Sequence, residues 1–418
     1  MNTFGILCGG GPAPGLNGVI AAATRAARLR GARVIGILDG FAHLMKGETG
    51  HVLELDEGAV EGIHLRGGSI LRTSRANPTR REEDLRRVVE ALGGLGVDSL
   101  ITIGGDDTAF SARRVAEAAG GRIRVAHVPK TIDNDLPLPP GIPTFGFETA
   151  REHGTTVVER IAEDCRTTGR WFFLILMGRQ AGHLALGVGK AAGAAVTLIP
   201  EEFPGGKIRL DDVVRILEGA IAKRLALGRP DGVAVIAEGI AERLEESDLE
   251  LLKEIPRDEH GHIRLAEVPL GRILRRAVAD SFARRGISVK LGDKDVGYEL
   301  RCGYPTAFDR DYTLDLGVGA VEALFAGRSA VMVTRREERI ELVPFERLMD
   351  PESGRTRVRG VDVKGDSYRA ARLLQVRVEA EDLADPQRLA AIARAAGLTP
   401  EEARVRFAPI GQEAGGRA

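Results

Sequence analysis

The chain has 418 residues, of which 53 are glycine, and 59 basic against 60 acidic side chains leave a formal net charge of −1. This balance provides no global basic field for nucleic acid or an anionic membrane, so an anionic ligand must be held by locally placed groups. Three separated cysteines without a C-x-x-C pair exclude a disulfide framework and fit a reducing compartment. Because there is no secretory leader pattern and no apolar run near the ~20 residues of a membrane span, we expect a cytoplasmic protein that binds neither nucleic acid nor membrane.

Short apolar segments and longer helical segments alternate along the chain. The first set has predicted strands at 4–8, 33–38, 99–103 and 123–128 and predicted helices at 16–30, 81–92 and 108–119. The second set has strands at 171–177, 195–199 and 232–237 and helices at 182–193, 210–227 and 268–285. Such alternation is typical of mostly parallel sheets with helices on both faces. We therefore predict an α/β protein with two Rossmann-like lobes.

The predicted lobes have approximate boundaries. We expect an N-terminal lobe at 1–143, a second lobe at 144–298, and a segment at 299–418 that returns to and extends the lobes. The proline-rich stretch 135–143 cannot continue a helix or a central strand, so it is the predicted crossing between the lobes. The sequence assigns no function to the part after about Ser329, and His260 and His262 are predicted to lie in a solvated loop.

In open α/β sheets, ligands bind at the carboxyl ends of the strands, so the turns there are the first candidates. Residues 9–17 read GGGPAPGLN. Glycines let backbone N–H groups approach an anion closely, and a following helix N-terminus adds a favourable partial charge. The segment is neither a P-loop nor a G-x-G-x-x-G motif. A phosphate-binding turn and an ordinary tight βα turn both remain open for it.

Two further turns carry acidic residues. Asp106 and Asp107 follow the strand at 99–103, where they would bind Mg²⁺ or, alternatively, cap a helix. Residues 129–135 read PKTIDND. A lysine that neutralises phosphoryl oxygens and an aspartate that accepts a hydroxyl proton are what phosphoryl transfer requires, whereas a simple Asx-rich turn is the structural alternative. Arg179 and Glu238 also follow strands, although salt-bridge partners explain each of them singly.

Seven segments in order resemble one family. They are residues 9–17, 67–75, 104–108, 129–135, 177–179, 238–239 and 297–301. Together they resemble the phosphofructokinases from Gly5 to about Phe325. The resemblance implies a Mg²⁺-dependent enzyme with its active site in the cleft between the lobes. It also implies a homodimer or a higher homo-oligomer.

Two positions indicate the phosphoryl donor. ATP-dependent members of the family have glycine where this chain has Asp107 and Lys130, and both residues look like those of the pyrophosphate-dependent subfamily. A carboxylate at Asp107 would add bulk and like-charge repulsion where the α-phosphate of ATP must lie. Lys130 would place a cation beside the transferred phosphoryl group.

The resemblance implies a role for each matching residue. Asp133 would be the general base for the C1 hydroxyl of fructose 6-phosphate, and Lys130 would stabilise the transition state with Asp107 beside it. Asp106 would bind Mg²⁺, and Asp135 would assist either the metal or the base. The residues expected to contact pyrophosphate or the sugar phosphate are Gly10, through its backbone N–H, Arg75, Thr131, Ile132, Asp133, Met177, Gly178, Arg179, Glu238, Tyr298, Glu299, Leu300 and Arg301. Arg170 matches a family arginine that can reach a neighbouring subunit's sugar phosphate. The family's other basic residue of this kind has no clean match here, and Lys290 and Lys294 are the two candidates.

Three alternatives stay open at this point. The same reaction with ATP is disfavoured by Asp107 and Lys130, and a non-catalytic sugar-phosphate sensor is disfavoured by the presence of Asp133. A nucleotide or lipid kinase would share only the Gly-Gly-Asp loop, and the segments 131–135 and 298–301 speak against it. The sequence leaves the oligomeric state, allosteric regulation and activity on sedoheptulose 7-phosphate undecided.

Overall fold

The computed structural model of the chain describes residues 2–203, 205–249, 268–350, 352 and 356–409. His260 and His262 lie outside the described residues. The chain divides into two compact units, which we call unit 1 (Met1–Ala150 and Tyr298–Arg359) and unit 2 (Arg151–Gly297 and Gly360–Ala418). The sequence predicted changes of lobe after residues 143 and 298, whereas the units change after residues 150, 297 and 359.

Strands and helices alternate through most of the described chain. The strands are β1 (Thr3–Cys8), β2 (Arg33–Ile37), β3 (Val52–Glu54), β4 (Ser99–Gly104), β5 (Arg124–Pro129), β6 (Trp171–Leu176), β7 (Val196–Leu198), β8 (Gly232–Ala237), β9 (Leu291–Val296), β10 (Val331–Arg336) and β11 (Arg339–Pro344). The helices of the first 250 residues are α1 (Leu16–Leu29), α2 (Glu82–Gly94), α3 (Asp106–Ala119), α4 (Phe147–Thr168), α5 (His183–Ala191), α6 (Leu210–Ala226), α7 (Gly239–Arg243) and α8 (Glu246–Leu249). The later helices are α9 (Leu270–Arg284), α10 (Tyr298–Arg301), α11 (Ala307–Phe325), α12 (Asp366–Leu373), α13 (Ala380–Ala384), α14 (Pro386–Ala396) and α15 (Pro400–Arg406).

Unit 1 contains a seven-stranded sheet in the order β11-β10-β5-β4-β1-β2-β3. The five central strands run parallel, and β3 and β11 pair antiparallel at the two edges. All six residues of β1 and of β4 are buried, as expected for parallel strands covered on both faces. In the sheet, β1 has β2 as its neighbour on one side and β4 as its neighbour on the other side. The strand order therefore reverses between β1 and β4, where open α/β sheets bind ligands.

Unit 2 contains a parallel four-stranded sheet in the order β7-β8-β6-β9. Its core includes Trp171, Phe173 and Phe282, each at most 1% exposed. These findings confirm the predicted α/β class with mostly parallel sheets.

The proline-rich stretch is not the crossing between the units, contrary to the sequence-based expectation. Leu136, Leu138 and Ile142 are buried in the core of unit 1. The chain passes from one unit to the other at Ala150 and Arg151, within α4. The stretch lacks regular structure, as its prolines require, but its apolar side chains keep it in unit 1.

The carboxyl-terminal helices pack on α6. Leu383, Leu389, Ile392 and Phe407 form a small apolar cluster with Ala222 of α6. Beside this cluster, the fully buried carboxylate of Glu218 accepts hydrogen bonds from Arg406 Nε at 2.8 Å and from Arg285 Nη2 at 3.2 Å. The segment after α11 thus adds strands to unit 1 and helices to unit 2.

Substituting Glu218 with glutamine should lower the stability of unit 2 by about 2–4 kcal/mol. The substitution removes the buried carboxylate that pairs with Arg285, whereas Arg406 keeps its ion pair with Asp211. The expected loss is therefore smaller than that of a fully disrupted buried ion pair. Urea denaturation followed by circular dichroism should show an earlier unfolding transition for Glu218→Gln. The matched control is Glu163→Gln, since Glu163 forms an exposed pair with Arg166; equal transition midpoints in the two variants would contradict the prediction.

No helix in the described ranges combines the length and the apolar character that crossing a membrane requires.

Candidate active site

Three turns meet at the carboxyl ends of β1, β4 and β5 in unit 1. Gly9 N donates to Ile103 O at 2.8 Å, and Lys130 N donates to Gly104 O at 2.8 Å. The side chain of Thr108 fills the space between the first two turns. A Cβ atom on either Gly9 or Gly104 would lie 2.4 Å from the Thr108 side chain, so both positions require glycine for close packing. The sequence predicted these turns as neighbours, and the structure brings them together.

The first turn also contacts the segment that contains Arg75. Ser74 forms an isolated parallel bridge with Gly9, and the Gly10 amide donates to Ser74 O at 2.8 Å. In this structure the Gly10 N–H therefore donates to the protein backbone, and its expected contact with pyrophosphate stays a prediction. Gly10 still has a left-handed φ of 80°, which favours glycine. Arg75 itself is exposed next to this bridge.

Lys130 is a buried cation above the glycine turn. Its side chain is largely inaccessible, and its Nζ donates to Gly11 O at 2.7 Å. An ammonium group has three donors, so this contact fixes the group and leaves donors for a ligand. Burial, together with the charge of Arg301, lowers the pKa of Lys130 to about 8, although Asp133 and Asp135 oppose the shift. Lys130 is therefore still mostly charged at neutral pH and loses its proton above about pH 8.

Arg301 approaches the same turn from α10. Its guanidinium carbon would lie 3.4 Å from a Cβ atom on Gly11, so the absence of a side chain at Gly11 leaves room for it. The guanidinium carbon also lies 5.2 Å from the centre of the Tyr298 ring. Two cations, Lys130 and Arg301, therefore face the glycine turn, an arrangement suited to anionic phosphoryl oxygens.

Asp106 and Asp107 occupy the first turn of α3. The residue that caps this helix is Gly105, so neither aspartate is the N-cap that the structural alternative required. Asp107 is exposed, and Asp106 is half-buried. Thr356 Oγ1 donates to Asp106 O at 3.5 Å.

The turn that contains Asp133 is rigidly held. Asp133 N donates to Thr131 Oγ1 at 3.0 Å, and Thr144 N donates to Asn134 Oδ1 at 3.0 Å. Asn134 has a left-handed φ of 57°, a conformation that asparagine tolerates better than most residues. These contacts replace the ladder bonds that a strand would supply, so Asp133 is presented on an ordered turn.

Arg359 completes the support of this turn from more than 200 residues downstream. Its backbone N donates to Asp135 O at 2.7 Å, and its Nη1 donates to Ile142 O at 2.7 Å. Its Nε donates to Asn134 O at 3.1 Å, and Nη2 also bonds the Asn134 side chain. No motif in the sequence marked Arg359, because most of its partners are backbone carbonyls that any residue could supply.

The carboxylates of this region repel one another. Burial, followed by the charges of Asp133 and Asp106, raises the pKa of Asp135 well above its usual range. Such a site favours a bound cation, because a cation relieves the repulsion. In the described residues these oxygens do not form a three-ligand set within 4.8 Å. Mg²⁺ commonly uses one or two carboxylates, waters and substrate phosphates, and Asp106, Asp133 and Asp135 fit that mode.

His127 in β5 contacts the turn that follows β4. The sequence did not single out this residue. Its Nδ1 lies 2.8 Å from Thr102 Oγ1, and its Nε2 lies 3.1 Å from Gly104 O. The carbonyl can only accept, so Nε2 donates and Nδ1 accepts from the threonine. Burial lowers the pKa of His127 to about 3, so the ring stays neutral and positions Gly104.

A second group of predicted residues lies at the carboxyl ends of β6 and β8 in unit 2. Glu238 N donates to Leu176 O at 2.8 Å, and Gly239 N donates to Gly178 O at 3.1 Å. Met177, Gly178, Arg179 and Glu238 are therefore neighbours, as predicted. Arg179 forms an ion pair with Glu242, and its side chain is largely exposed.

Arg170 lies at the opposite end of β6 from Met177. It pairs with Asp164, and its guanidinium carbon lies 5.2 Å from the centre of the Phe172 ring. Lys290 lies at the same end, since Lys290 O accepts a hydrogen bond from Trp171 N at 2.9 Å. Lys294 is exposed in the edge strand β9. Within this chain, Arg170 and Lys290 are therefore separated from Met177 by the length of a strand.

The remaining predicted contacts differ in what they can offer a ligand. Tyr298 and Glu299 are exposed on α10. Leu300 is 1% exposed and Ile132 is 5% exposed, so these two can contribute backbone groups but not accessible side chains. Thr131 is also buried, and its carbonyl accepts from Thr144 Oγ1 at 2.7 Å.

Comparison with known proteins gives consistent matches. The family profile described as phosphofructokinase matches residues 3–324. The chain is 52% identical over 409 residues to the pyrophosphate–fructose 6-phosphate 1-phosphotransferase of Thermotoga maritima, with 97% of each chain covered. It is 46% identical over 409 residues to the protein of the same name from Naegleria fowleri, with 96% of this chain and 94% of the relative covered. A solved structure of a pyrophosphate-dependent phosphofructokinase from Marinobacter aquaeolei aligns with a TM-score of 0.68, at 18% identity, over 91% of this chain and 93% of that one.

Proposed function

The chain belongs to the phosphofructokinase family, and we propose that it transfers a phosphoryl group from pyrophosphate to the C1 hydroxyl of fructose 6-phosphate. The products are fructose 1,6-bisphosphate and phosphate. Because the two phosphoryl carriers have comparable transfer potentials, the reaction is readily reversible. The observation that carries this function is the position of the Lys130 ammonium group. It is buried, donates a hydrogen bond to the Gly11 carbonyl and lies close to Asp133.

Asp133 and Lys130 divide the chemistry between them. The Asp133 carboxylate accepts the proton of the C1 hydroxyl, and the C1 oxygen then forms a bond to the terminal phosphorus of pyrophosphate. The bond from that phosphorus to the bridging oxygen breaks, and phosphate leaves with the electron pair. Lys130 lies where negative charge accumulates on the phosphoryl oxygens, so it stabilises the transition state more than the ground state.

A divalent metal ion is used across this family, and we propose Mg²⁺ for this chain. Asp106 would hold it with Asp135 assisting, in part through water and pyrophosphate oxygens. The ion would supply positive charge to the phosphates. The mutual repulsion that raises the pKa of Asp135 supports a cation at this place.

The sugar phosphate is assigned to residues that follow β6 and β8 and to residues of α10. We propose that Met177, Gly178, Arg179 and Glu238 contact it, together with Tyr298 and Arg301. Arg301 has the planar fork that binds a phosphate through two parallel hydrogen bonds. Arg75 lies beside the glycine turn and is assigned to pyrophosphate.

A cytoplasmic homo-oligomer is part of the proposal. The position of Arg170 and Lys290, a strand length from Met177 in the same chain, supports a role for them at a neighbouring subunit's site. Light scattering of the purified protein would give the oligomeric state.

Steady-state assays with pyrophosphate and ATP offered separately test the donor. We expect robust turnover with pyrophosphate and little with ATP, each with fructose 6-phosphate and Mg²⁺. Turnover with ATP but none with pyrophosphate would refute the donor assignment. Absence of turnover with both would favour the non-catalytic sensor.

Replacing Asp107 with glycine should strengthen ATP binding about 10-fold, the effect of removing roughly 1.4 kcal/mol of repulsion. The ATP inhibition constant against pyrophosphate measures this change. Asp107→Asn is the matched control, because it keeps the side-chain volume and removes the charge. An unchanged ATP inhibition constant in Asp107→Gly would contradict exclusion of ATP by this residue.

A further inference from the structure

A loop in unit 1, outside the residues assigned to the reaction, brings two histidines and a glutamate together. In the part of the chain that the structure describes, His43, Glu48 and His51 are the set whose candidate ligand atoms all lie within 4.8 Å of one another. His43 Nδ1 lies 2.8 Å from Glu48 Oε2, and His51 Nε2 lies 3.5 Å from the same oxygen. The two imidazole rings stack with their centroids 3.5 Å apart and an angle of 12° between their planes. The hydrogen bond between His43 and Glu48 and the stacking of the two rings thus hold three candidate ligands together.

Backbone hydrogen bonds hold these three residues in place. Leu38 N donates to His51 O at 3.0 Å, and Glu48 N donates to His43 O at 3.1 Å. The loop therefore closes on itself at two points, each next to a candidate ligand. The start of the loop is hydrogen-bonded to the segment that contains Ser74, since Ser74 Oγ donates to Asp39 O at 2.6 Å. The backbone thus orders the loop before any ion binds, which lowers the entropic cost of binding. The stacked rings are the ion-free arrangement, and one ring must rotate about its side-chain bonds so that an ion lies in the planes of both imidazoles.

Asp39 provides the outer contact that metal-binding histidines usually have. Its Oδ2 lies 3.4 Å from His43 Nε2. Because a carboxylate only accepts, Nδ1 donates its proton to Glu48 Oε2 at 2.8 Å before an ion binds. An ion at Nδ1 would displace that proton, and Asp39 would then accept the proton that remains on Nε2. Such carboxylate–histidine pairs orient the ring and raise its basicity as a metal ligand.

We propose that His43 Nδ1, Glu48 Oε2 and His51 Nε2 form a binding site for a zinc-class transition-metal ion, with Asp39 as a positioning residue. Zinc bonds of about 2.0–2.1 Å in a tetrahedral site separate neighbouring ligand atoms by roughly 3.4 Å, a value that the separations of 2.8 and 3.5 Å bracket. Two imidazoles and one carboxylate select zinc over magnesium, which prefers oxygen ligands. The partial exposure of Glu48 and His51 leaves an entry path and a fourth position for water. The site is thus chemically distinct from the carboxylates at Asp106, Asp133 and Asp135.

The test is a Zn²⁺ titration of the full-length protein by calorimetry, after chelator treatment and without pyrophosphate, which itself binds metals. Excess Mg²⁺ is kept present so that the carboxylates are occupied. We expect one Zn²⁺ per chain that is lost or weakened at least about 10²-fold in His51→Asn, and weakened about 10-fold in Asp39→Asn. Asparagine tolerates the left-handed φ of 57° at Asp39, and His51 is exposed, so both variants should fold.

The control variant is His64→Asn, which removes an imidazole of unit 1 outside the cluster and should leave Zn²⁺ binding unchanged. Co²⁺ in place of Zn²⁺ adds a spectroscopic readout, because a tetrahedral site gives visible absorption bands that His51→Asn should abolish. Wild-type protein without saturable Zn²⁺ binding, or His51→Asn with wild-type affinity, would overturn the proposal.

Discussion

Replacing Asp133 with asparagine should lower kcat by about 10²- to 10⁴-fold, the usual contribution of a positioned general base. Asparagine keeps the size of the side chain and cannot accept the proton of the C1 hydroxyl. The turn should persist, because Thr131, Thr144 and Arg359 bond its backbone and the Asn134 side chain. Proton transfer belongs to the transition state, so KM for fructose 6-phosphate should change little.

Steady-state kinetics with saturating pyrophosphate would measure this loss. Asp366→Asn is the matched control, since it makes the same chemical change at an exposed position in α12. A kcat for Asp133→Asn within a few-fold of the wild-type value would remove Asp133 from the role of base. Circular dichroism of both variants would show that the fold is retained.

Replacing Lys130 with methionine should lower kcat by about 10²- to 10³-fold, the scale on which one preorganised electrostatic contact acts. Methionine fills a similar volume in the buried pocket and removes the charge that faces the phosphoryl oxygens. Lys190→Met is the control, because Lys190 bonds Ser367 on the surface of unit 2. A rate equal to that of the control would contradict the assigned role.

The pH profile gives a second test of Lys130. Burial lowers its pKa to about 8, so the side chain is charged below this pH and neutral above it. Since kcat/KM reports the ionisation of the free enzyme, its value should fall on the alkaline side with a midpoint near pH 8. Lys130→Arg stays charged throughout, since the arginine pKa exceeds ~12. It should therefore lose this alkaline limb, and an unchanged limb would assign the titration to another group.

The central strands and the glycine turns were predictable because each has a strong local signal. β1, β4, β5, β6 and β8 are short apolar runs that end in turns, and the observed ends differ from the predicted ones by at most one residue. β9 was missed because its sequence, LGDKDV, carries three charges and lies at a sheet edge. The β10–β11 hairpin was missed because its turn residues, Glu337 and Glu338, adopt left-handed conformations without the Asn-Gly signature.

The sequence indicated those candidate site residues whose own charged side chains would take part in the reaction. Lys130 and Asp133 stand out because charged side chains directly after an apolar strand need an explanation. Arg359 and His127 could not be recognised, because their roles depend on carbonyl groups that tertiary structure alone brings near them. The hydrogen bond from Gly10 N to Ser74 O could not be predicted for the same reason, since the two segments meet only after the chain folds.

The order of strands in unit 1 has a consequence for synthesis on the ribosome. β5 is complete at Pro129, but its outer neighbour β10 begins only at Val331. At about 5–20 residues per second, the intervening roughly 200 residues take about 10–40 s to emerge. During that interval one edge of the growing sheet lacks its partner strand, and an open edge is a template for pairing between nascent chains. Arg359 emerges later still, so the turn that presents Asp133 acquires its full support only when the polypeptide is nearly finished.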